Sequence, residues 1–230
     1  MFSFILVVCL AGVCSLTPIA FYFIWLSVIT RRDRPTIISG PWDFAALLAG
    51  LSGFILFGGG LLLLLMQSNV RFFLRGNFEA LRDAWVKEHL AWVITIVAYL
   101  AFVVAGSYLT LYSRRRTLVV YNVDPDQFEA TLAEVFDHIG RPVERRGNLW
   151  VGGMPLCEVE RFAAGRTATL RWVSEDHLLF QELDRQLREA VRTLPAGDNP
   201  TSRWLSSGVV ATLSLIVFCV FLMLYYFRKL

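Results

Sequence analysis

Histidine is scarce in this chain, with three in 230 residues, and His89, His138 and His177 fall on separate segments. Hydrolytic, redox and metal chemistry need imidazole, thiolate and carboxylate groups that converge. The spacings that bring them together (HExxH, CxxC, GxSxG, a Walker-type phosphate loop) do not occur. Asp137 and His138 are adjacent, but neighbouring helical positions point about 100° apart, so the pair cannot chelate one ion. No catalytic residue, metal ligand or cofactor is therefore expected.

Lysine is nearly missing too. Of 22 basic residues only Lys87 and Lys229 are lysines, which reflects either codon usage or a role specific to guanidinium, such as binding lipid phosphate. Cysteine is sparse, and three of the four (Cys9, Cys14 and Cys219) sit in apolar runs where a thiol behaves as a small hydrophobe. Cys157 has no second cysteine in its polar segment, so a disulfide framework is excluded and the redox compartment stays open. The apolar runs hold no ionisable group that would mark a proton or ion path. Asp43 comes nearest, in the first turn after Pro41, where it stays in the interface.

What is present is a greasy chain, 56% apolar and 18% charged, whose apolar stretches run unbroken. They occupy 2–29, 42–66 and 90–112, with a fourth in 201–230 from Trp204 to Phe227. Each supplies the roughly 20 residues that about 30 Å of hydrocarbon demands. The first begins without charge and exceeds a signal-peptide core, so it is expected as an uncleaved helix, with a kink near Pro18. In the second, Ala46 with Gly50 and Ala49 with Gly53 are each four apart and offer a face for close helix packing; Ala101 and Ala105 repeat that spacing in the third. Gly58-Gly59-Gly60 is expected to loosen the second helix. Segment 67–89 reads as amphipathic after a capping Asn77, with Phe78, Leu81 and Trp85 on one stripe. It either rests on the membrane surface or packs on the other spans.

Residues 117–200 read as a small α+β domain and its linker, inserted between the third and fourth spans. Leu118–Val123 suits a central strand, and Asp124-Pro125 starts a helix that Gly140 ends. Hairpins are expected at Arg146-Gly147-Asn148 and at Ala163-Ala164-Gly165, and Ser174 is expected to cap a last helix. The order β-α-β-β-β-β-α implies an antiparallel sheet with both helices on one face. The other face is expected to carry Glu144, Arg146, Trp150, Glu158, Glu160 and Arg171, as a solvated surface or as a partner surface centred on Trp150.

From Arg114 to Arg203 there are 13 basic and 14 acidic residues, and the remaining 9 basic and 5 acidic residues flank the spans. A near-neutral domain lacks the concentrated positive field that nucleic acid selects. The expected protein is thus an all-α membrane part of four helices with an inserted α+β domain, a non-enzymatic anchor for an interaction or regulatory function. Its partners would be the lipid bilayer and a protein or a second copy. A subunit of a transport or export assembly, and a lipid-modifying enzyme at the interface, are the alternatives. The uncharged start of the first run and its basic end, Arg31-Arg32-Asp33-Arg34, set the domain in the cytoplasm beneath the plasma membrane. Cysteines introduced into 117–200 should then resist a membrane-impermeant maleimide on intact cells, and labelling there would invert the orientation.

Overall fold

The computed structural model describes residues 2–60, 78–197 and 199–228. The end of the second apolar run, segment 61–77 with Asn77, the side chains of Phe78, Leu81 and Trp85, and Lys229 lie outside the described residues. In chain order the elements are α1 (Phe2–Thr30), β1 (Thr36–Ser39), α2 (Gly40–Gly53), α3 (Phe78–Ser113), β2 (Thr117–Tyr121), α4 (Pro125–His138), β3 (Glu144–Arg146), β4 (Leu149–Gly152), β5 (Met154–Phe162), β6 (Thr167–Trp172), α5 (His177–Arg192) and α6 (Pro200–Phe227). Four helical segments, Ile5–Thr30, Gly40–Gly58, His89–Ser113 and Pro200–Phe227, are long and apolar enough to cross a membrane. The chain divides into two compact units, one of Met1–Phe23, Leu47–Leu109 and Ser207–Leu230, the other of Ile24–Ala46 and Thr110–Ser206.

In the first unit, backbone approach between α1 and α2 is set by two glycines. A Cβ on Gly53 would lie 2.5 Å from the Cys14 carbonyl oxygen, and one on Gly50 would lie 2.6 Å from Tyr22 Cβ. Pro18 inside α1 has no N–H to bond the Cys14 carbonyl, and Gly53 packs against that freed group while Ser15 Oγ donates to the Gly53 carbonyl at 3.4 Å. The close face is therefore Gly50 with Gly53, three apart. Ala46 is half-buried, whereas Ala49 lies at the margin of the stripe and is exposed, as are Ala101 and Ala105 on α3. The glycine run is preceded by a π-helical turn, Phe54–Gly58. The Tyr99 hydroxyl donates to the Ile55 carbonyl at 2.6 Å, over a surface that Gly59 leaves without a side chain.

The second unit holds a six-stranded antiparallel sheet in the order β1-β2-β6-β5-β4-β3, with α4 and α5 packed on one face. Asp124 accepts from the Asp126 and Gln127 amides, Pro125 opens α4, and Gly140 at φ +75 ends it, as its sequence implies. The start of α5 differs: Asp176, not Ser174, accepts the Leu179 amide at 3.0 Å, because the Ser174 hydroxyl is taken by the Asp176 amide. Strand β1 has no counterpart in the sequence reading. Four residues between Pro35 and Gly40 are too short to show a period, and their partners Leu118–Tyr121 lie some 80 positions on.

The core joins Phe128, Leu132 and Phe136 of α4 and Leu183, Leu187 and Val191 of α5 to Val120, Leu170 and Val159 of the sheet. Trp150 belongs here, 4% exposed and stacked on Phe136 at 6.3 Å between ring centroids, and this corrects its assignment to the open face. The turn Gly147-Asn148 pairs Arg146 with Leu149 and Arg145 with Trp150. Across a two-residue turn the faces of positions four apart are opposite, so Arg146 and Trp150 part company. Cys157, opposite Trp150, is fully buried and its thiol is pushed up to about 12 by desolvation, which keeps it protonated and unreactive. Phe136→Ala should cost about 3–5 kcal/mol through the cavity it leaves. A denaturation midpoint equal to that of the parent protein would show that the core is not organised around this ring.

Candidate functional site

The sheet face away from α4 and α5 carries Thr117, Val119 and Tyr121 of β2, Thr167, Thr169 and Arg171 of β6, and Glu158, Glu160 and Phe162 of β5. Alternation places these positions opposite those that face α4 and α5. Over part of this face runs a cavity of about 560 Å³. Its sheet side includes Tyr121, Glu160, Phe162 and Arg171, and its other side is made by the last turns of α1 and α3 and the first turns of α2 and α6, through Thr30, Ser113, Asp43 and Thr201, with Arg114 just past the end of α3.

Two local features bring the start of α2 against β2. At Gly40 a Cβ would lie 2.7 Å from Thr117 Cβ and 2.8 Å from the Arg114 carbonyl oxygen, so a side chain there would push the helix away. One turn on, the Tyr121 phenol donates to Asp43 Oδ1 at 2.5 Å. A carboxylate at the first turn of a helix is also favoured by the amide dipoles there. Arg114 lays its guanidinium over the Phe44 ring, 5.3 Å from the centroid. One carboxylate of the cavity is thus engaged by a phenol and one guanidinium by a ring. Glu160 and Arg171 have no ion-pair partner among the described residues, and Phe162 is 61% exposed.

Of the expected surface residues, Glu160 and Arg171 line the cavity together. Glu158 shares their face and stands opposite Arg171 in the β5–β6 register. Arg146 is on the same face but at the outer strand, where it pairs with Glu144 at 3.0 Å; Trp150 is in the core. No local pattern in the sequence singles out Tyr121 or Arg114, and Asp43 reads there as an interfacial carboxylate without a partner. The available signal was a carboxylate directly following Pro41-Trp42, at the beginning of an apolar run.

Chemically the cavity offers charges of both signs, several hydroxyls and an apolar rim, a set suited to binding a polar, hydrogen-bonding ligand of mixed charge. The domain histidines stand outside it: His138 Nδ1 lies 2.8 Å from the Glu134 carbonyl, and His177 Nε2 accepts from Arg116 at 2.7 Å. No group of three or more histidine, cysteine or acidic residues among the described residues is placed to hold a metal ion. Protein-family models, curated proteins and solved structures were all compared with the chain, and none matches it. Roles are accordingly assigned from chemistry alone.

Tyr121→Phe removes the donor to Asp43 and should destabilise the protein by about 1.5–3 kcal/mol, the usual worth of a hydrogen bond to a charged group. An unchanged thermal midpoint in detergent would mean that this bond does not hold α2 to the sheet.

Proposed function

We propose that this chain is a four-span integral protein of the plasma membrane that presents a non-enzymatic interaction domain to the cytoplasm. Its partner is a protein segment carrying both acidic and basic side chains. The observation that carries this reading is the open-face cavity, where Glu160 and Arg171 project beside exposed Phe162 without ion-pair partners among the described residues. Unpaired charges of opposite sign around an aromatic side chain favour a complementary polypeptide over a ligand of single sign. The four long apolar helices support the membrane assignment, and their flanking arginines support the orientation.

Recognition through the face is favoured over addition of a strand at the β3 edge. Strand β3 is Glu144-Arg145-Arg146, all exposed, and a charged edge of three residues resists pairing with another strand. The same edge is engaged inward: Arg145 reaches Glu129 on α4 at 2.6 Å, and Arg161 joins that carboxylate at 3.3 Å.

A photo-crosslinking residue at Thr169, inside the cavity, should trap a discrete protein adduct in cells, and one at Arg185 on α5 should not. Glu160→Lys combined with Arg171→Glu should reduce the Thr169 adduct at least about tenfold, the equivalent of losing one charge-assisted contact. Equal adducts at both positions, or an adduct indifferent to the double reversal, would remove the basis for a partner on this face.

A further inference from the structure

A second cavity, of about 570 Å³, lies elsewhere in the unit that contains the sheet. Its lining includes Arg31, Arg32, Arg34, Arg188 and Arg192, against one carboxylate, Asp33. The arginines come from two places. Three belong to the link between α1 and β1; two are one turn apart on α5, more than 150 positions later. Basic residues after an apolar helix are explained by membrane orientation alone, but that does not account for a distant helix bringing two more guanidinium groups to the same hollow.

The link is held in place by bonds that leave the cavity free. Asn122, buried and in the left-handed region at φ +60, donates through Nδ2 to the Arg32 carbonyl at 2.6 Å. Arg188 Nη1 donates to the Ile37 carbonyl at 3.3 Å while its Nε pairs with Asp184 at 2.9 Å, which joins α5 to β1. Arg31 is engaged with Ser206 at 2.6 Å. Arg32, Arg34 and Arg192 have no carboxylate partner among the described residues. Three guanidinium groups without ion pairs among the described residues, set against the single carboxylate of Asp33, give the hollow a positive potential that favours an anion. Their planar, multiple N–H donors match the oxygens of phosphate.

We infer that this cavity is an anion site that takes a phosphate group, delivered by the headgroup of an acidic phospholipid or by a soluble polyphosphate. Its size accommodates a headgroup or a compact polyphosphate. The site is separate from the open-face cavity. It depends on the membrane reading only for the lipid source.

The full chain, reconstituted in phosphatidylcholine nanodiscs, separates the two sources. One arm adds phosphatidic acid to the bilayer, and the other adds inorganic tripolyphosphate to the buffer. Thermal stabilisation by phosphatidic acid alone assigns a lipid headgroup, stabilisation by tripolyphosphate alone assigns a soluble ligand, and a response to both assigns the phosphate group itself. Arg34→Gln with Arg192→Gln changes two exposed side chains and should raise the concentration of the active probe needed roughly a hundredfold, about tenfold for each lost contact. Arg141→Gln with Arg146→Gln, an equal charge loss elsewhere on the domain, should respond like the parent protein. The proposal fails if neither probe stabilises the parent protein, or if the two double variants weaken the response equally.

Discussion

Strand β2 must have a hydrogen-bonding neighbour on each side, because Thr117 to Val120 are all buried and a buried backbone amide or carbonyl left unpaired is costly. Strand β6 supplies one neighbour. The other is β1, drawn from the short link between α1 and α2. That single ladder explains much of the rest. It brings Asp43 within reach of Tyr121, sets Asn122 against the Arg32 carbonyl, and lets Arg188 of α5 bond to Ile37. Without β1 the link would be an exposed loop, and the arginine-lined cavity would lose the wall that Thr36 and Ile37 help to form.

Charge is distributed accordingly. On the helix side of the sheet Glu129 of α4, a carboxylate drawn toward the core, is held by two guanidinium groups, those of Arg145 and Arg161, as a partly buried carboxylate requires. On the open side Glu160 and Arg171 have no such partners among the described residues. Around the link, arginines accumulate with little acidic compensation. The domain's net charge is close to balanced, yet its surface is locally uneven, and the unevenness is where binding chemistry is concentrated.

Much of the fold was legible in short-range signals. Asp124-Pro125 and Gly140 bound α4 because a cap, a fixed φ and a left-handed residue are local requirements. Alternation in β5 and β6 separated Cys157 and Val159 from Glu158 and Glu160 because the pleat has a period of two. Where structure and local pattern differ, strand parity and competition between hydrogen bonds are the reasons. Trp150 changed face across a two-residue turn, and the capping role moved from Ser174 to Asp176 when the serine hydroxyl found a nearer amide. Of the candidate surface, Glu160 and Arg171 were found, while Tyr121 and Asp43 were not joined because no spacing relates residues 78 positions apart.

The sequence by itself determined four helices apolar and long enough to cross a membrane, and an antiparallel α+β domain between the third and fourth. Length, hydropathy and period are properties of contiguous residues, so they need no fold to be read. Tertiary structure alone decided that Thr36–Ser39 becomes the sixth strand, that Gly50 and Gly53 meet α1 beside Pro18, and that five arginines from two distant segments surround one hollow. Those are long-range pairings. They are set by which buried backbone groups need partners and which surfaces can approach, conditions that exist only once the chain has closed on itself.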